Sequence, residues 1–264
     1  MEKTYKTAQV ADMMGIHPNT VRLYETLGLI SAPIRMPNGY RVFTDLHVDQ
    51  FRLARTAFQV EVLQNGLRKK MISIIKLSAG REFDKAILLT QSYIKQIQTE
   101  QSNAEEAIRM VEQLLTDTAK EDETNLLTYR RSMDQTNDMR VMKRQEVSDY
   151  LGISMDTLRN WEMNGLLEVK RKRNGYRIYT ESDIKRLKII RSLRCANYSL
   201  SAILRMMNAL TVGEPVDLRK TINTPQEDET IVTACDRLLT SLEVAKENAQ
   251  YMQKQLQSMA EKYS

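Results

Sequence analysis

Residues able to do covalent or metal chemistry are scarce in this chain. Its 264 residues include two cysteines, Cys195 and Cys235, and two histidines, His17 and His47. No pair of these has the spacing of a zinc site. There is no glycine-rich phosphate loop, no Ser/His/Asp or Cys/His constellation, and no acidic cluster of the kind that holds a nuclease metal. Neither an enzyme nor a metal or cofactor is expected. What recurs instead are cations, amides and hydroxyls at short intervals: Asn19, Thr20 and Arg22 early in the chain, then Asp156, Thr157 and Arg159 later. Tyr40-Arg41 and Tyr176-Arg177 each follow an Asn-Gly pair, and Lys170, Arg171, Lys172 and Arg173 form a run of four cations. Guanidinium forks bond bidentately to phosphates and to base edges, so the chemistry on offer is recognition of a polyanion.

The charge distribution agrees with that reading. Residues 1–78 carry 11 Lys and Arg against 6 Asp and Glu, and residues 140–210 carry 15 against 7. Between and after them, residues 79–139 carry 7 against 12 and residues 211–264 carry 6 against 9. Basic blocks suit nucleic acid, and the acidic blocks suit segments held away from it. The N-terminus lacks the apolar core of a signal peptide, and no apolar run approaches the length of a membrane span. A cytoplasmic location without membrane contact is expected, and in a reducing compartment a disulfide is not.

Positioning these residues falls to an internal duplication. Val10, Gly15, Thr20, Arg22, Glu25 and Gly28 recur 137 residues later as Val147, Gly152, Thr157, Arg159, Glu162 and Gly165. After one deletion, Asn38-Gly39-Tyr40-Arg41 returns as Asn174-Gly175-Tyr176-Arg177. Each copy has a short helix (7–14, 144–151) closed by glycine, where a positive φ costs little. A second helix follows (18–27, 155–164), opened by Pro18 in one copy and by Ser154 as N-cap in the other. An Asn-Gly hairpin signal comes next, and then a further helix (45–60, 181–196). Copy two continues into a helix at 199–210, whereas copy one is less regular around 62–66. Helix, glycine turn, helix and hairpin make a winged helix-turn-helix.

Each copy leads to a heptad seam. Ile87, Thr90, Ile94, Ile97, Gln101, Ala104, Ile108, Val111 and Leu115 form the first, and Cys235, Leu238, Leu242, Ala245, Ala249, Met252, Leu256, Met259 and Tyr263 the second. Both keep 3-4 spacing for about 42 Å of helix. The expected architecture is mainly α: winged domains at 1–78 and 140–210, long helices at 81–115 and 231–264, a linker at 116–139 and a connecting insert at 211–230. Matched seam lengths favour pairing of the two long helices as an antiparallel coiled coil within one chain. Association of two chains is the alternative.

Thr20-Val-Arg-Leu-Tyr-Glu25 with Asn38-Gly-Tyr-Arg41, and Thr157-Leu-Arg-Asn-Trp-Glu162 with Asn174-Gly-Tyr-Arg-Ile-Tyr179, resemble the DNA-binding domain of MerR-family transcription regulators. The likeness covers about 140 residues, counting both copies. The resemblance implies a regulator that binds promoter DNA and distorts it between the elements read by RNA polymerase. It also implies a pair of long helices like that of a family dimer, here imitated by one chain as a pseudo-dimer. Some relatives bind metal through cysteines near this helix. A seam position makes Cys235 a packing residue instead. An effector, if there is one, would contact 116–139 or 211–230, which otherwise serve as connecting chain.

An α-helix fits the major groove, so Arg22 and Arg159, with Asn19, Thr20, Asp156 and Thr157, are candidates for base or phosphate contact. Tyr40, Arg41, Tyr176, Arg177 and the four-cation run are placed for phosphates beside the groove, and Arg55, Arg191 and Arg194 for clamping the backbone. Wing one offers only Arg35 where wing two has its run. Tyr24 and Trp161 either reach the DNA backbone or pack in the core. Because the two recognition helices differ, the expected operator has unequal half-sites. An architectural, excisionase-like DNA bender is the competing reading, separable by transcription in vitro.

Overall fold

The structure, a computed structural model, describes residues 3–60, 64–129, 141–171, 175–211, 217–225 and 234–263. It divides into two units, Met1–Gln101 with Thr240–Ser264, and Ser102–Leu239. The fold is mainly α, with a small sheet in each unit. No helix among the described residues is long and apolar enough to cross a membrane.

In the first unit the order is β1 (Thr4–Tyr5), α1 (Thr7–Met14), α2 (Pro18–Thr26), β2 (Ile34–Arg35), β3 (Arg41–Thr44), α3 (Asp45–Ala57) and α4 (Leu67–Ala79). The start of α5 (Phe83–Tyr129) follows. In the second unit β4 (Met142–Lys143), α6 (Arg144–Leu151), α7 (Met155–Met163), β5 (Lys170–Arg171), β6 (Arg177–Tyr179), α8 (Glu181–Cys195) and α9 (Leu200–Thr211) repeat the series. There α10 (Leu218–Asn223) is added, and α11 (Leu238–Tyr263) belongs mostly to the first unit.

The helix-turn-helix follows from local chemistry. Gly15 and Gly152 both take φ of 61°, closing α1 and α6 in the left-handed conformation that lets the chain turn at once into the next helix. Pro18 opens α2, where its missing N–H is no loss, and the Asn19 amide donates to His17 Nδ1 at 3.2 Å. In copy two the Thr157 amide donates to the Ser154 hydroxyl at 3.0 Å, the N-cap expected of that serine. The wing hairpins pair Arg35 with Arg41 and Arg171 with Arg177.

Each core is built from the inward faces of these helices. Val10, Val21, Tyr24, Phe43 and Phe51 are buried in the first unit; Val147, Leu158, Trp161, Leu166 and Leu187 are buried in the second. Equivalent positions on α3 and α8 use different chemistry for one task. Buried Gln50 bonds Ser31 and the Ser78 carbonyl, whereas Arg186 donates to the Leu166 carbonyl at 2.7 Å. Both hold the loop that follows the recognition helix, whose backbone groups need partners once buried.

Three features depart from the sequence reading. The outer strands β1 and β4 complete the sheets by pairing with β3 and β6, although two residues leave no readable alternation. Copy one is as regular as copy two after its third helix, because α4 stands where α9 does, preceded by a 3-10 turn at Gln64–Gly66 with Asn65 at φ 48°. The long helix α5 also runs on to Tyr129 instead of giving way to connecting chain at 116.

The seams are broader than a narrow stripe. Thr90, Ile97, Ala104, Ile108 and Val111 are buried, but so are Phe83, Ala86, Tyr93 and Ala107, while Ile87, Ile94, Gln101 and Leu115 are only partly covered. In the first unit α4 lies along α5, with Lys70 bonded to Ser92 and Asn65 to Glu100. On α11, Leu238, Leu242, Ala245, Ala249, Met252, Leu256 and Met259 are all buried as the spacing predicts. The side chain of Cys235 lies outside the described residues. Within the first unit Arg81 donates to the Tyr263 carbonyl, so the end of α11 lies beside the start of α5, as an antiparallel pair requires.

Candidate nucleic-acid interface

The outward face of each recognition helix carries the residues singled out from the sequence. On α2, Asn19 and Arg22 are exposed, and Arg22 donates to Asn19 Oδ1 at 2.9 Å, which pre-aligns the guanidinium. On α7, Asp156 and Arg159 are exposed, and Thr20 and Thr157 are half-buried at the helix starts. Asn160, exposed on the same face of α7, was not picked out from sequence because its counterpart in copy one is Leu23. Tyr40 and Tyr176 project from the wings at 71% and 70% exposure. Lys170 and Arg171 are exposed on β5, whereas Lys172 and Arg173 lie outside the described residues.

Two expected contacts have a structural explanation instead. Tyr24 is 7% exposed and stacks on Phe51 with ring centroids 5.2 Å apart, and Trp161 is 5% exposed at the equivalent site. Both rings are core, because the face of the recognition helix opposite Arg22 and Arg159 must cover α3 or α8.

Arg41 and Arg177 are likewise committed inside the protein. Arg177 Nε donates to both carboxylate oxygens of Glu162, and Arg41 Nε donates to Glu25. The bond to Glu162 raises the Arg177 pKa above its ordinary value. A second wing cation joins each carboxylate: Arg35 is 2.9 Å from Glu25, and Arg171 is 3.8 Å from Glu162. The wings are therefore pinned to the recognition helices by the same three-residue device in both copies. Glu25 and Glu162, which hold these arginines, are not among the site residues expected from the sequence. Their recurrence at the repeat offset was the available signal, since it preserved the carboxylate with both arginines.

The clamp residues divide. Arg55 and Arg191 are exposed. Arg194 is exposed as well but donates to the Tyr198 carbonyl at 2.5 Å, capping the turn between α8 and α9.

A family described as "MerR family regulatory protein" matches residues 6–43, and one described as "MerR HTH family regulatory protein" matches residues 142–210. The HTH-type transcriptional regulator CueR of Escherichia coli O6:H1 is 40% identical over 53 residues, which are 20% of this chain and 39% of that protein. AdhR of Bacillus subtilis is 38% identical over 79 residues, or 29% and 56% of the two chains. ZntR of Escherichia coli K12 is 36% identical over 64 residues, or 24% and 45%. The chain thus spans between 39% and 56% of the length of these relatives. No solved structure matches it significantly. With one family match on each copy of the helix, glycine turn, helix and wing, the chain carries two MerR-type domains in tandem.

Proposed function

We propose that this chain is a sequence-specific transcription regulator that binds and distorts promoter DNA through its two non-identical winged domains. The observation that carries the reading is the repeated geometry of a recognition helix with an outward arginine and a wing held to that helix by a buried-edge Glu-Arg pair. A helix of this kind enters the major groove, and its wing meets the flanking phosphates. Arg22 and Arg159 would read bases or phosphates, with Tyr40, Tyr176 and Lys170 on the backbone. Arg41 and Arg177 act by orienting the wings. The recognition helices differ in sequence, which favours an operator with unequal half-sites, and a promoter site brings RNA polymerase into play.

The chain would work as a pseudo-dimer. Support comes from the first unit, where the last helix of the chain docks on the first DNA-binding domain. Tyr263 donates to Asp49 at 2.7 Å, Lys262 lies 3.4 Å from the same carboxylate, and Gln255 donates to the Asp49 carbonyl at 2.8 Å. One polypeptide thereby provides the partner helix that a second subunit would otherwise supply. Selection of bound sequences from a random duplex pool, with the mass of the resulting complex, tests the proposal. Two unlike half-motifs and one chain per duplex are expected. A perfect palindrome bound by two chains would refute the pseudo-dimer, and no enriched sequence would refute specific recognition.

A further inference from the structure

Inside the second unit, a cleft of about 530 Å³ opens between α5 and the helices α6 and α8. Met110 and Leu114 of α5 face Leu151 and Tyr150 of α6 across it, and Lys188 and Arg191 of α8 close one side. The Lys188 ammonium sits over the Tyr150 ring, 5.3 Å from its centroid. Among the described residues, neither Lys188 nor Arg191 has an ion-pair partner and no acidic side chain lines the cleft. Its volume falls within the range of small-molecule sites, roughly 300–1,000 Å³. An apolar floor beside two unneutralised cations complements one kind of occupant: an apolar body ending in an anion.

We propose that this cleft binds a small amphipathic anion, an aromatic or aliphatic carboxylate. The carboxylate pairs with Lys188 and Arg191, and the hydrocarbon lies between Met110, Leu114 and Leu151. The site uses neither the base-reading face of α7 nor the wing; it shares Arg191 with the expected backbone clamp, but its occupancy is measured without DNA and stands or falls independently of the proposed operator binding.

The probe is 2-naphthoate, titrated into the full chain by calorimetry beside its neutral analogue 2-naphthalenemethanol. Saturable binding of one naphthoate per chain is expected, with the alcohol at least tenfold weaker. Lys188→Gln should weaken naphthoate by about tenfold, the size of one charge-assisted hydrogen bond. Met110→Glu places a like charge at the mouth from the opposite helix and should weaken it by a similar factor. Met110 is exposed and Lys188 half-buried, and unchanged melting curves verify that each variant is folded. Equal binding by the variants, equal binding of the alcohol, or a heat signal that never saturates would each overturn the proposal.

Discussion

Arg177 holds both carboxylate oxygens of Glu162 through a single Nε, at 2.6 and 2.9 Å, and so joins the strand of the wing to the last turn of the recognition helix. The pair is partly exposed, with side chains 23% and 18% accessible, and on stability alone it is worth about 1 kcal/mol. Its larger effect is angular. Glu162→Gln keeps the shape and removes the charge, so the fold should survive with a small drop in melting temperature while operator affinity falls more than tenfold. Fluorescence anisotropy of a labelled duplex measures this. An affinity that rises would show that a released Arg177 is better used on phosphate.

Removing a recognition arginine should cost binding at one half-site only. Arg159→Ala is expected to lose about 1–3 kcal/mol, the scale of one bidentate base contact. The loss should appear as relaxed sequence preference on the side read by α7. Arg22→Ala should do the same on the other side, with Asn19 Oδ1 losing its Arg22 donor as well. Binding of half-site-swapped duplexes by the two variants distinguishes these outcomes from a uniform loss.

The second wing should dominate the salt dependence. Each phosphate neutralised contributes about −0.9 to the slope of log affinity against log salt on duplex DNA. Replacing Lys170, Lys172 and Arg173 together by Gln is therefore expected to flatten the slope by about 2.7. In wing one Arg35 is already engaged by Glu25, so Arg35→Gln should change the slope by less than one.

The docking of α11 on the first domain carries a pH signature. Burial raises the Tyr263 phenol to about 12, followed by its hydrogen bond to Asp49, while Lys262 works the other way. A folded pKa above the unfolded value of 10.0 means that the contribution is complete below pH 10 and is lost as pH rises toward 12. The first unit should loosen across that window, read as protease sensitivity near the C-terminus. Tyr263→Phe should show the loosened state already at neutral pH and a smaller alkaline step, since burial also raises Tyr93 of the same unit to about 12.

Much of this protein is legible along its sequence because the deciding forces are local. Gly15 and Gly152 place their turns through backbone freedom, Pro18 and Ser154 start the recognition helices, and Asn38-Gly39 reverses the wing strand. The seam of α11 is equally legible, since 3-4 spacing puts its apolar side chains on one face whatever that face later covers. The duplication reinforced each of these signals by presenting it twice.

Spacing could not decide which partner each polar side chain would take. Arg41 finds Glu25 across 16 residues of wing, and Asp49 accepts from Tyr263 across 214. Along the chain both arginines of each wing look free for phosphate, and both Tyr24 and Trp161 look able to reach it. Folding brought a carboxylate within reach of one and a hydrophobic core around the other. An opposite charge or an apolar neighbour a few ångströms away outweighs any preference written into the local sequence, and that neighbour exists only once distant segments have packed.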